Sequence, residues 1–170
     1  MKNIRSFLES GDLRSIAKVN ELVAMIRTQT DFDALMVYLF SEDRLLVMRA
    51  ADAVEKITVR HPEFLKAHKQ QLLKLCRQAE HIELKWHLAL LLPRLPLTKK
   101  ELNFVWELLS EWVLDKKESR IVRVNALQGL GDVLPECSEK KPDFMQIIAE
   151  LKKEYIPSLN ARIRKLETQQ

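Results

Sequence analysis

Arg44-Leu-Leu-Val-Met-Arg-Ala-Ala-Asp-Ala-Val-Glu-Lys-Ile57 is the stretch on which the fold turns, because its pattern returns twice further along the chain. A step of 38 residues carries Ala50, Ala53, Val54 and Ile57 onto Leu88, Leu91, Leu92 and Leu95. A second step of 38 reaches Ala126, Gly129, Leu130 and Val133. Small or apolar side chains therefore recur at offsets of 3, 4 and 7, which lie on one face of a helix. A period near 40 with two helical patterns per copy marks an array of helix pairs. No such pair covers its own apolar face, so each must be sheltered by its neighbours.

The flanking segments carry the same period. Ser41-Glu-Asp43 offers a cap for the quoted helix, and Leu65, His68, Leu72, Leu75, Cys76 and Ala79 make the apolar face of the helix opened by His61-Pro62. Residues 82–92 are apolar nearly all round, as expected of a helix surrounded by protein, and Pro93 and Pro96 close them. Thr98 and Glu101 have the spacing of a capping box. Leu102, Val105, Trp106, Leu109 and Val113 follow as a buried stripe. Lys116-Lys117-Glu118-Ser119 reads as a turn, Pro135 to Lys141 as a polar loop holding Cys137, and Phe144, Ile147, Ile148 and Leu151 as another helix. Toward the N-terminus, Ile4, Phe7 and Leu8 mark a short helix. Leu13, Ile16, Ala17, Leu22, Val23 and Ile26 form a stripe, and Thr30-Asp31 a cap before Phe32, Leu35, Met36 and Leu39. Ser158 is the expected cap of a terminal helix carrying Leu159, Ile163 and Leu166.

Bulk properties agree with this pattern. The chain has 170 residues, 46% apolar, with only three glycines, which suits helices and a substantial core. Two cysteines are too few for a disulfide scaffold. The first ten residues lack the apolar core of a signal peptide, and no apolar run is long enough to span a bilayer, so a reducing cytoplasmic setting and no membrane partner are expected.

Val122-Arg123-Val-Asn-Ala126-Leu127-Gln-Gly129-Leu130 resembles the HEAT-repeat signature, an apolar residue and arginine followed by small and apolar residues at fixed offsets. Arg49-Ala-Ala-Asp-Ala-Val-Glu-Lys56 and the segment from Trp86 to Pro96 resemble stretches of bacterial HEAT-repeat (armadillo-like) proteins of unassigned role. The resemblance implies an all-α, right-handed α-solenoid of about four HEAT-like antiparallel helix pairs. It places the best repeats at 43–79, 82–115 and 120–155, an atypical unit at 12–40 and a capping helix at 158–170, within one domain, 1–170. The basic ladder frequent in such repeats has two rungs here, since Arg123 corresponds to Lys85 and then to Val47.

Little in the chain recommends catalysis. There is no H-E-x-x-H, C-x-x-C, G-x-S-x-G or glycine-rich phosphate loop, so no catalytic residue, cofactor or metal is expected and the chain reads as a non-enzyme. Gly129 and Gly131 fall inside a helix, where they would let neighbouring helices approach. Charge is more informative. The net charge is +4, and residues 61–100 hold eight basic and three acidic groups. Lys66, Gln70, Lys74 and Arg77 fall on one line opposite the apolar face, whereas the corresponding later helix offers Asn103, Glu107, Ser110 and Glu111. The resemblance makes such second helices line a concave surface, so these eight residues are the candidate partner-binding set of a protein-binding scaffold. The alternative is a nucleic-acid-binding protein related to HEAT-like alkylpurine DNA glycosylases, which use aromatic residues and an acid on that surface. Short stacks leave apolar ends, so a weak homodimer is a further expectation.

Overall fold

The computed structural model describes residues 3–9 and 18–168. Among them every regular element is helical and none is a strand. The α-helices are α1 (Ile4–Leu8), α2 (Val19–Met25), α3 (Gln29–Met36), α4 (Arg44–Thr58), α5 (Lys69–Gln78), α6 (Ile82–Leu91), α7 (Lys99–Leu114), α8 (Arg120–Val133), α9 (Lys141–Lys152) and α10 (Pro157–Glu167), with short 3-10 segments between several of them. The all-α class expected from the periodicity is the observed one. No described helix is long and apolar enough to cross a membrane. The chain forms two compact units, Met1–Lys74 and Leu75–Gln170, with the division inside α5.

In the first unit α4 is the hub, packed against α1, α2 and α3. The quoted repeat positions Ala50, Ala53, Val54 and Ile57 are all buried in it. Asp43 caps α4, its carboxylate accepting from the Leu45 amide at 2.9 Å. Arg49 is also buried, and its guanidinium donates to the Leu8 carbonyl at 2.6 Å, which ties the end of α1 to α4. Phe32 of α3 packs on Phe64, ring centres 5.4 Å apart. The cap of α3 is Thr28, not Thr30: Thr28 and Asp31 make a reciprocal capping box, so the helix starts two residues earlier. Pro62–His68 is 3-10 rather than α, and α5 begins only at Lys69. The expected positions Leu13, Ile16 and Ala17 lie outside the described residues.

The second unit is organised around α8, which packs against α6, α7 and α10, while α9 meets α7 and α10. Contacts between alternate helices (α6 with α8, α8 with α10, α7 with α9) set two rows side by side. Leu88, Leu91, Leu92 and Leu95 are buried, as are Ala126, Leu130 and Val133. Gly129 of α8 lies against the Ala89 carbonyl of α6, where any β-carbon would collide with backbone. A β-carbon on Gly131 would stand 2.7 Å from Leu166 of α10. Both glycines thus permit close helix approach. The capping box of Thr98 and Glu101 opens α7 as its spacing predicts. Two expectations change. The expected loop holds two 3-10 turns, Leu134–Glu136 and Ser138–Lys140, with Lys141 already in α9, and it buries Cys137, whose thiol donates to the Val133 carbonyl. Pro157 occupies the first turn of α10 and Ile156 its cap position, because proline needs no amide partner there, so Ser158 lies inside the helix.

Candidate functional site

The two basic rungs of the sequence are structural ties in the second unit. Arg123 is buried on α8; its Nε donates to the Val113 carbonyl at 2.8 Å, and its two terminal nitrogens hold the Glu154 carboxylate at 2.9 and 2.7 Å. The arginine thus links the last turn of α7 to the turn after α9. It also holds the Glu154 carboxyl below the ordinary glutamate range, chiefly by hydrogen bonding. Lys85 of α6 pairs in the same manner with Glu118, in the turn after α7. Sequence reasoning found the rungs and missed their carboxylate partners. The signal was present: Glu118 and Glu154 are separated by nearly one repeat.

Of the residues singled out by charge pattern, Gln70, Lys74 and Arg77 share α5 at offsets of 4 and 3, which keeps them on one helical face. Lys66 stands in the 3-10 segment, where three residues make a turn, so it does not share the α-helical spacing of Gln70 and Lys74. All three are exposed and belong to the first unit. Arg77 is exposed in the second unit, its guanidinium 4.2 Å above the Phe104 ring, a cation–π contact invisible in the sequence. On α7, Glu107 and Glu111 are exposed while Asn103 and Ser110 are half-buried.

Two of these residues, Glu107 and Ser110, come together on a groove of about 410 Å³ between α7 and α9. Trp106 and Ile147 form its floor, with Leu114 partly exposed at one end. Glu107, Asp143 and Glu150 line it with Lys140, which stands 4.0 Å from Asp143, while Lys153 bonds Glu150 at 2.6 Å. The Ser110 hydroxyl is enclosed and has no hydrogen-bond partner among the described residues. The result is an apolar trough with a net acidic rim. The α9 contributors Asp143, Gln146 and Glu150 were missed because nothing in the chain shows that residues nearly 40 positions apart face one another. Trp106 is only 3% exposed, so it supplies floor rather than a platform for stacking a base.

The other titratable clusters are local. His68 bonds Asp33 at 2.6 Å and Gln71 at 3.0 Å, and Gln29 bonds the same Asp33 oxygen at 2.6 Å. Hydrogen bonding from Gln29, helped by His68, holds the Asp33 carboxyl below its usual range. Burial pushes the Cys76 thiol up to about 12. Among the described residues no three His, Cys, Asp or Glu side chains gather where they could hold a metal ion. Comparison with protein-family models, curated proteins and solved structures found no match in any of the three.

Proposed function

We propose that the helix pairs build a HEAT-like solenoid and that the chain is a non-enzymatic protein-binding module, gripping a partner in the groove between α7 and α9. The groove itself carries this reading. An apolar floor of Trp106 and Ile147 gives area to bury, and the excess of Glu107, Asp143 and Glu150 over Lys140 and Lys153 favours a segment bearing Lys or Arg beside apolar residues. The alternating rows in the second unit support the repeat reading, because the resemblance puts second helices such as α7 and α9 on the partner-facing side.

The test is binding of labelled amphipathic helical peptides, one rich in Lys and Leu and one with Glu in place of Lys, followed by fluorescence anisotropy. The cationic peptide binds the native chain, and a Glu107→Lys/Glu150→Lys variant loses that binding. Equal binding of the two peptides, or no effect of the variant, sinks the proposal.

The nucleic-acid reading rests on the excess of five positive charges in residues 61–100. Its support narrows, since Lys85 is paired with Glu118 and Arg77 is occupied over Phe104. If about four phosphates were contacted, log K would fall against log salt with a slope of roughly −3.6. A duplex titration at low salt that shows no binding removes it.

A further inference from the structure

A second concavity, of about 620 Å³, lies within the first unit where α2 and α4 end. Its walls come from the last turns of those helices and the residues just beyond them. Arg27, Lys56, Arg60 and His61 line it, and among the described residues no carboxylate does. Val23, Ile26, Ile57 and Val59 supply the apolar part, Val59 being 67% exposed.

The plain explanation of cations here is that they offset the carbonyl ends of two helices. Magnitudes decide against that being the whole account. Each helix C-terminus presents about half a negative charge, so two present about one. Lys56 is already committed, bonding Asp52 at 2.8 Å. Arg60 has no side-chain partner among the described residues, and the Arg27 guanidinium makes only a long 3.4 Å bond to the Ala24 carbonyl. Two guanidiniums therefore share about one unit of helix-end charge and the Asp31 carboxylate, which accepts from the Arg27 amide at 3.2 Å, and Arg60 is the one left without a carboxylate beside it among the described residues. His61, bonded to Glu63, adds a ring nitrogen to the same wall.

We infer that this pocket binds a small amphiphilic organic anion, its phosphate or carboxylate head taken by Arg27 and Arg60 and its apolar body laid against Val23, Ile57 and Val59. The volume suits such a ligand, since small-molecule sites run from about 300 to 1,000 Å³. Guanidinium is the side-chain group best matched to either head, because its planar fork meets two oxygens at once. The site is independent of the groove between α7 and α9, so one can fail while the other stands.

The experiment is a titration of the ¹⁵N-labelled full chain with phenyl phosphate, phenylacetate, neutral benzyl alcohol and inorganic phosphate, read by amide shifts. Phenyl phosphate and phenylacetate should move the amides of Val23, Ile57 and Val59 in a saturable way, with benzyl alcohol and inorganic phosphate each weaker by about tenfold or more. An Arg27→Gln/Arg60→Gln variant, altered only at exposed side chains and checked for an unchanged melting curve, should weaken both aromatic anions by about tenfold. Benzyl alcohol binding as well as the anions, or the variant binding them undiminished, overturns the inference. So does binding to phosphatidylserine vesicles without any binding of the soluble anions, which would mark a membrane headgroup contact instead.

Discussion

Replacing Arg123 by Met tests the most enclosed charge in the second unit. The arginine side chain is 3% exposed and that of Glu154 15%, and together they make a two-pronged ion pair. Taking away one member of a buried pair costs about 3–5 kcal/mol, most of it from the charge left behind. Glu154 sits in a turn with part of its carboxylate near solvent, so water will reach it and the cost falls toward the lower bound, about 3 kcal/mol. The Val113 carbonyl loses its donor as well, adding about 1 kcal/mol. The sum for Arg123→Met is then about 4 kcal/mol. In an Arg123→Met/Glu154→Leu double variant no charge is stranded and only the carbonyl term remains, about 1 kcal/mol. Urea unfolding of the native chain, both single variants and the double variant at pH 7 gives the cycle directly. The double variant should be more stable than Arg123→Met alone. Strictly additive losses, or a single-variant loss below about 1 kcal/mol, would refute the idea that this pair clips α7 and α9 to α8.

The same pair predicts a pH dependence. The folded Glu154 carboxyl titrates below its unfolded value, so its contribution is complete above about pH 4.3 and disappears as pH falls through the folded value. The stability gap between the native chain and Glu154→Gln should therefore close on acidification below that point, and a gap that widens contradicts the assignment. Gly129→Ala gains about 1 kcal/mol of helix propensity but drives a methyl into the Ala89 carbonyl, so unfolding should show a net loss of about 1–2 kcal/mol. Any net stabilisation means that α6 and α8 separate without penalty. Cys76 is buried with its thiol pushed up to about 12, so a thiol reagent at pH 8 should label it only on the timescale of local opening. Immediate labelling counts against the packing of α5. Thr98→Ala removes the capping box of α7 and should cost about 1 kcal/mol in the same denaturant assay; no loss means that water replaces the cap.

Helix content, the cap at Thr98 and the stripe from Leu102 to Val113 were legible because each depends on residues within a turn or two of one another. The boundaries that moved did so through local competition. Thr28 outbids Thr30 as a cap because Asp31 lies three residues after it and returns the hydrogen bond. Pro157 enters the first turn of α10 without needing a donor and displaces Ser158 from the cap. Cys137 was read as a loop residue since its neighbours are polar, yet the two 3-10 turns around it fold its side chain inward. For the candidate site, the line of Glu107 and Ser110 was visible on α7, while the facing line of Asp143, Gln146 and Glu150 was not.

The 38-residue recurrence by itself determined that the chain is helical and which faces are buried, because 3.6-residue periodicity ties apolar spacing to one side of a helix. Only the tertiary structure decided which buried faces meet. It set Gly129 against Ala89, joined Arg123 to Glu154, and placed the acidic rim of α9 opposite that of α7. Those pairings depend on contacts between segments 30 or more residues apart, and one helix's periodicity carries no information about the azimuth of another.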